Sequence, residues 1–492
     1  MRHLVLLLAA VTVGCATDDA ADEPLQSSEA RSFPVFSPSR PDTSAAQGLQ
    51  ALQQDAWRRE LRFMDAADPG FAFRSVRPTY GELEDRFSPE DWFSMGGQLF
   101  TMNFTEAQGF GGSDLPSMSR FHLGQRGGPD ARRCSACHWR GGLAGAGDAA
   151  DNAFFRGDGE TESTALVRNP PPLFGAGWKQ RLGEEMTAEL QFRRDDAIAF
   201  ARARGEDVRL HLEVRGVSFG FLSISRDGTV DDTDLEGIDA DLIVRPFGWK
   251  GAFADLRDVV EDASNVHHGM QSSWFAANED PARVGEGPTN DPDQDGVEDE
   301  LSDAQVALMT MFAAMQDVPV ELPPSGSGLL LLYARGRQDF TTLGCAECHV
   351  PSIEIEDAHY NLISRTGGPD LSINLLEAGA QPRLQPDVIT GELRVPLYSD
   401  LKRHAMGDEL AEPRDDAGVA ADVFLTTPLW GIARSRPYLH DGRAPTLEDA
   451  IVLHGGEAQA SRDAFVALPE DDRAPLRVFL TSLTRGERLA SP

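Results

Sequence analysis

Cys345-Ala346-Glu347-Cys348-His349 and, upstream, Cys134-Ser135-Ala136-Cys137-His138 share one pattern, C-x-x-C-H. It is the attachment signature of a c-type haem. Two thiols add across the vinyl groups, and the following His offers its imidazole nitrogen to the iron. The order is demanding, because the cysteines fix the porphyrin edge and the His must reach its centre. The competing reading is a structural zinc site built from the same thiolates. That site has no use for a His directly after the second Cys in both copies, which favours haem.

The rest of the chain suits this. Its 492 residues, 41% of them hydrophobic, are enough for two or three domains with cores of their own. Met1-Arg2-His3, an apolar run from Leu4 to Val13 and Gly14-Cys15 read as a bacterial export signal. Cys15 is the expected lipid anchor; Thr12 departs from the usual large apolar residue, so an ordinary cleaved signal is the alternative. Either way the expected location is periplasmic, lipid-anchored in the first case and soluble in the second. With Cys15 on lipid and four cysteines on haem, the five cysteines leave none for a disulfide. No later apolar run is long enough to cross a bilayer. The net charge of −34 speaks against nucleic acid and anionic membrane surfaces. It suits a basic electron-donor protein, and it also serves solubility.

In chain order, residues 1–15 are the signal and 16–47 a polar tether. Residues 48–325 form a first haem domain and 326–492 a second. Helical patterning runs from near Leu49 through Leu61 and recurs at Leu329–Phe340, where Gly336 permits close approach of another helix; Trp92–Phe100, with a small residue followed by Leu-Phe, looks like the first helix of a cytochrome c fold. A Gly-rich insertion, Gly109-Phe110-Gly111-Gly112, separates the Trp92–Phe100 helix from Cys134. Alternation at Val208, Leu210, Leu212 and Val214, then Val217, Phe219, Phe221 and Ser223, with Arg215-Gly216 between, marks a β-hairpin. It is the only convincing sheet in the sequence. Thr446 and Asp449 make a capping box for a helix that stops near Gly455-Gly456. After each Cys pair the same landmarks follow: Pro172-Leu173-Phe174-Gly175 and Phe247-Gly248-Trp249-Lys250-Gly251 in one copy, Pro428-Leu429-Trp430-Gly431 and Tyr438-Leu439-His440-Asp441-Gly442 in the other. The expected fold is mainly α: two cytochrome c-like haem domains related by an internal repeat, with a small β-hairpin inserted in the first.

These landmarks, with Thr446-Leu447-Glu448-Asp449-Ala450, His454-Gly455-Gly456-Glu457-Ala458, Gly237–Leu242 and His268-Gly269-Met270-Gln271, resemble the di-haem oxidoreductase branch of the bacterial di-haem cytochrome c peroxidase superfamily. The resemblance covers roughly residues 90–490. It implies two covalently bound haems c, a relay haem on Cys345, Cys348 and His349, and a reactive haem on Cys134, Cys137 and His138. Where the peroxidases usually have a Met ligand, this chain has His454, which implies a bis-His relay haem of lower potential. The other reading of His454 is a helix-end His near the dipole's negative pole. The bridging Trp of the superfamily falls on Trp249, and its catalytic Glu falls on His267 or His268. Either His is fit for acid–base work on a peroxide or for iron ligation. Met270 is a packed Met or a ligand. Arg245, Lys250 and Arg443 are candidates for haem propionates or solvated surface charges, and Trp139 is a candidate for packing on the porphyrin.

Asp291, Asp293, Asp295 and Asp299 supply oxygens around a turn at Gly296, the pattern of a Ca²⁺ loop. Ser302 stands where a full EF-hand has its bidentate Glu, and an acidic linker is the other reading. The resemblance implies an exported oxidoreductase that reduces hydrogen peroxide with electrons from a small cytochrome or cupredoxin. The alternatives are an oxidase or oxygenase acting on an organic or protein substrate, and a cytochrome that only passes electrons.

Overall fold

A computed structural model describes residues 78–104, 121–122, 131–155, 162–278 and 299–486. The signal, the tether, the Gly-rich insertion, the Leu49–Leu61 helix and Asp291, Asp293 and Asp295 lie outside the described residues. Before the first Cys pair come helices α1 (Tyr80–Arg86) and α2 (Pro89–Thr101). After it come α3 (Ala176–Arg204), α4 (Leu256–His268), α5 (Ser273–Asn278) and α6 (Asp303–Ala314). Helix α7 (Ser327–Thr342) leads into the second pair, followed by α8 (Leu447–Val452), α9 (Gln459–Val466) and α10 (Glu470–Ser482). Helix outweighs strand, 39% to 16%, in line with the mainly α expectation. None of the described helices is long and apolar enough to cross a membrane.

Each Cys pair follows a helix that crosses another at a glycine. Gly96 of α2 lies against the Leu308 carbonyl and Phe312 of α6; Gly336 of α7 lies against the Pro475 carbonyl and Phe479 of α10. A Cβ at either glycine would overlap the facing backbone carbonyl. Gly336→Ala is therefore expected to lower stability in denaturant unfolding by about 1–3 kcal/mol. On an open helix the same change gains about 0.8–1.0 kcal/mol, so the sign of the measured change reports the crossing.

The hairpin forms as expected, Val208–Val214 against Val217–Ile224, with Arg215 and Gly216 both at positive φ. That is the turn whose twist suits two paired strands. The face alternation differs from expectation. Leu222 and Ile224 are buried in place of Phe221 and Ser223, because a bulge at Phe219-Gly220 puts an extra residue opposite Leu212. Phe221 instead stacks on His211 on the outer face. The hairpin is not the only sheet. A third short strand joins it, and five further small sheets are present among the described residues. Their strands, such as Ile353–Ile355 and Leu393–Val395, span two to four residues, too short for alternation to register. One of them pairs Val320–Glu321 with Leu483–Thr484, which ties the segment before residue 326 to the C-terminal half.

Matching backbone bonds join the two halves. Asn169 N–H donates to His440 O (2.7 Å), and Leu425 N–H donates to Trp249 O (2.9 Å). Within the halves, Leu173 N–H donates to Ala144 O (2.9 Å) in one, and Leu429 N–H donates to Leu397 O (3.0 Å) in the other. Trp430 lies over Gly175 while Phe174 lies over Gly431.

Candidate haem centres

In the C-terminal half a tight turn at Cys345–Glu347 follows Gly344, which sits in the left-handed region, and delivers His349 N–H to Cys345 O (3.0 Å). The His349 ring donates Nδ1–H to Tyr398 O (3.1 Å), and the His454 ring donates Nδ1–H to Ala450 O one turn back (2.7 Å). A carbonyl can only accept, so both imidazoles carry their lone pair on Nε2. The ring centroids stand 6.4 Å apart. A metal held by Nε2 of both rings, with bonds of about 2.0–2.1 Å and about 1.1 Å from nitrogen to ring centre, needs about 6.3 Å. Both rings are half-buried. Burial first, then the neighbouring His454, pushes His349 down to about 4, and burial lowers His454 as well. Neutral imidazole is the form that binds a metal. The gap, the oriented tautomers and the neutral state together fit an iron between His349 and His454.

A second cluster borders this centre. His404 is buried, with Nε2 2.8 Å from Asp400 Oδ2 and Nδ1 2.7 Å from Glu457 Oε2. Burial opposes charge on this ring, but the bond to Asp400 and then that to Cys348 outweigh it and lift His404 to about 11. Cys348 Sγ, Asp400 and His404 each place a ligand atom within 4.8 Å of the others. Haem attachment would convert that thiol to a thioether and remove it from any such set. The sequence carries no sign of this cluster: Asp400 and His404 stand four apart, as on a helix, but Asp400 lies in an irregular segment and His404 within the strand Arg403–Ala405.

In the N-terminal half the turn at Cys134–Ala136 delivers His138, whose Nδ1–H donates to Gly145 O (3.2 Å). Burial pushes His138 down to about 4 and Cys134 up to about 12. The ring next to His138 is Phe100, at 6.2 Å. Among the described residues no imidazole faces His138 as His454 faces His349. Helix α4 ends on His267 and His268, about 100° apart around the axis, and the two part company. His268 is buried, donates Nδ1–H to Ala131 O (2.7 Å) and places Nε2 3.5 Å from Cys134 Sγ. His267 is half-buried, 5.7 Å from the Phe155 ring, and near enough to His138 to interact with it electrostatically.

Trp249 is half-buried on the seam, with Nε1–H donated to Asn169 O (2.9 Å). Lys250 is spent elsewhere. Its Nζ is buried, bonds the carbonyls of Ala420, Ala421 and Val423 and pairs with Glu412. Arg245 pairs with Asp239 and Asp241, and Arg443 with Asp441. Trp139 is 46% exposed and donates to Asp151. Met270 is packed in the core. Asp299 is exposed; the other three residues of the acidic loop lie outside the described residues.

Residues 318–483 match the model of the family described as "Di-haem oxidoreductase, putative peroxidase". That segment is similar to the di-haem oxidoreductases. It holds the second C-x-x-C-H, the Tyr398 carbonyl, His404 and His454; the di-haem oxidoreductase match does not reach Cys134–His138. No curated protein matches the chain. Among solved structures, hydrazine synthase of Kuenenia stuttgartiensis is 17% identical, over 42% of this chain and 66% of that chain, at a TM-score of 0.23. A likeness that slight bears on neither fold nor activity.

Proposed function

We propose that this protein is an exported di-haem c-type oxidoreductase that reduces hydrogen peroxide, with the C-terminal centre passing electrons and the N-terminal centre doing the chemistry. The observation that carries it is the 6.4 Å spacing of the His349 and His454 rings. Cys345, Cys348 and these two imidazoles would hold one haem; Cys134, Cys137 and His138 would hold the other. The paired helix crossings and the matched bonds across the seam support two related haem domains. Bound haem supplies electron storage and, where an axial position is open, a place for peroxide.

The protein's own groups do the rest. His349 and His454 close their centre to substrate, which suits it to electrons alone. Trp249, bonded to Asn169 of one half and Leu425 of the other, lies where electrons cross. Reduction of peroxide to two waters takes two electrons and two protons. A base must accept the first proton and return it to the leaving oxygen. His267 is assigned that role, and His268 the support of the Cys134 edge. The electrons would come from a small basic cytochrome or cupredoxin, drawn by the net charge of −34. The bis-His spacing also suits a second reading, an oxidase acting on an organic or protein substrate.

His267→Ala is expected to lower peroxide turnover by about 10²–10⁴-fold, measured with a pre-reduced small electron-transfer protein and fully haem-loaded enzyme. No turnover in the wild type under those conditions sinks the peroxidase reading, and oxygen consumption with an organic donor then supports the oxidase.

A further inference from the structure

One short segment, residues 398–407, contacts the chain around both His349 and His454. Tyr398 O holds the His349 ring, and Ser399 N–H donates to Val350 O (3.0 Å) just past it. His404 has a ring nitrogen within 4.8 Å of Cys348 Sγ and bonds Asp400 on one side and Glu457 on the other. Ala405 N–H donates to the second oxygen of the same Glu457 (2.8 Å), and Gly407 packs on the Gly456 backbone two residues past His454. Glu457 lies three residues beyond His454. The segment is therefore bonded to the chain leaving His349 through Ser399, and His404 and Ala405 bond it to the chain leaving His454.

Both ring nitrogens of His404 face carboxylate oxygens. A carboxylate only accepts, so both nitrogens must donate, which makes the ring an imidazolium. Asp400 is 2% exposed, so the charge is fixed in a poorly screened place beside the cysteine that would carry the haem edge. A cation there favours the ferrous state, whose net positive charge is lower.

We propose that His404 is a positioning residue of the C-terminal haem, a fixed imidazolium that clasps the segments of both axial ligands and raises the haem's reduction potential. The proposal rests on the haem assignment above. Bis-His ligation alone holds a haem at low potential, and the clasp offsets part of that.

The test is spectroelectrochemistry of haem-loaded protein. In wild type one haem should be low-spin, six-coordinate and closed to carbon monoxide; if it is not, the haem assignment itself has failed and His404 falls with it. Given that signal, His404→Gln should lower the ferrous-to-ferric ratio of that haem at a fixed potential by about tenfold, which is about 59 mV for one electron, and add a high-spin fraction. Glu457→Gln, which removes an exposed anion, should shift the ratio the opposite way. His404→Lys, which keeps the charge, should return the ratio towards wild type. A merely structural role would loosen the ligands in both Gln variants without shifts of opposite sign. The proposal is overturned if His404→Gln leaves the ratio unchanged or raises it, or if the two Gln variants shift it in the same direction. Should His404→Gln fail to load haem, Glu457→Gln and His404→Lys decide on the same readout.

Discussion

Replacing His454 by alanine is expected to open the C-terminal haem. The reduced variant should take up one more carbon monoxide per chain than wild type and lose the low-spin six-coordinate signal. The fold survives, because the change removes one bond, to Ala450 O, at a cost of about 0.5–1.5 kcal/mol. Turnover falls by at least the roughly 10–100-fold that loss of a ligand's supporting partner brings. His454→Met keeps six coordination and raises the potential, since thioether ligation favours the reduced iron. If His454 only interacts with the end of its helix, the alanine variant keeps the wild-type spectrum.

Asp317→Ala is expected to be the most damaging change in stability. Arg485 is 3% exposed and meets Asp317 with two bonds, 2.6 and 2.8 Å long. Removing one partner of a buried pair strands the other charge and costs about 3–5 kcal/mol. Replacing both by apolar residues of like volume, Asp317→Leu with Arg485→Met, should cost much less, for the same reason. The loss should show first at the N-terminal haem. Arg485 also bonds the carbonyls of Gly141 and Leu143 (3.2 and 2.8 Å), in the loop that runs from His138 to its partner Gly145. Denaturant unfolding followed at the two haem bands separates the local loss from the global one.

What could be read from the sequence was what is local. C-x-x-C-H, the Thr446–Asp449 capping box and the Arg215-Gly216 turn each complete their geometry within a few residues. Gly336 was legible because a glycine inside a helix needs a reason. The pairing of His349 with His454 was suggested by resemblance, and the 6.4 Å gap now supports it in space. The rest was hidden by distance along the chain. Lys250 reads as a surface charge in sequence, yet it is buried by carbonyls 170 or more residues away. His404 bonds Glu457 across 53 residues, with no period to announce it. The hairpin's burial pattern broke at Gly220, where one extra residue reverses the alternation that marked the strand. His267 and His268 look equivalent in sequence; only the helix rotation sends one towards Cys134 and leaves the other beside Phe155.

Carbon monoxide binding to fully reduced, fully haem-loaded wild-type protein tests the division of labour between the two centres. The expected result is one carbon monoxide for every two haems, bound at the centre of Cys134, Cys137 and His138, with the His349 and His454 centre unchanged. Two per chain would contradict the bis-His assignment, and none would leave only a protein that passes electrons.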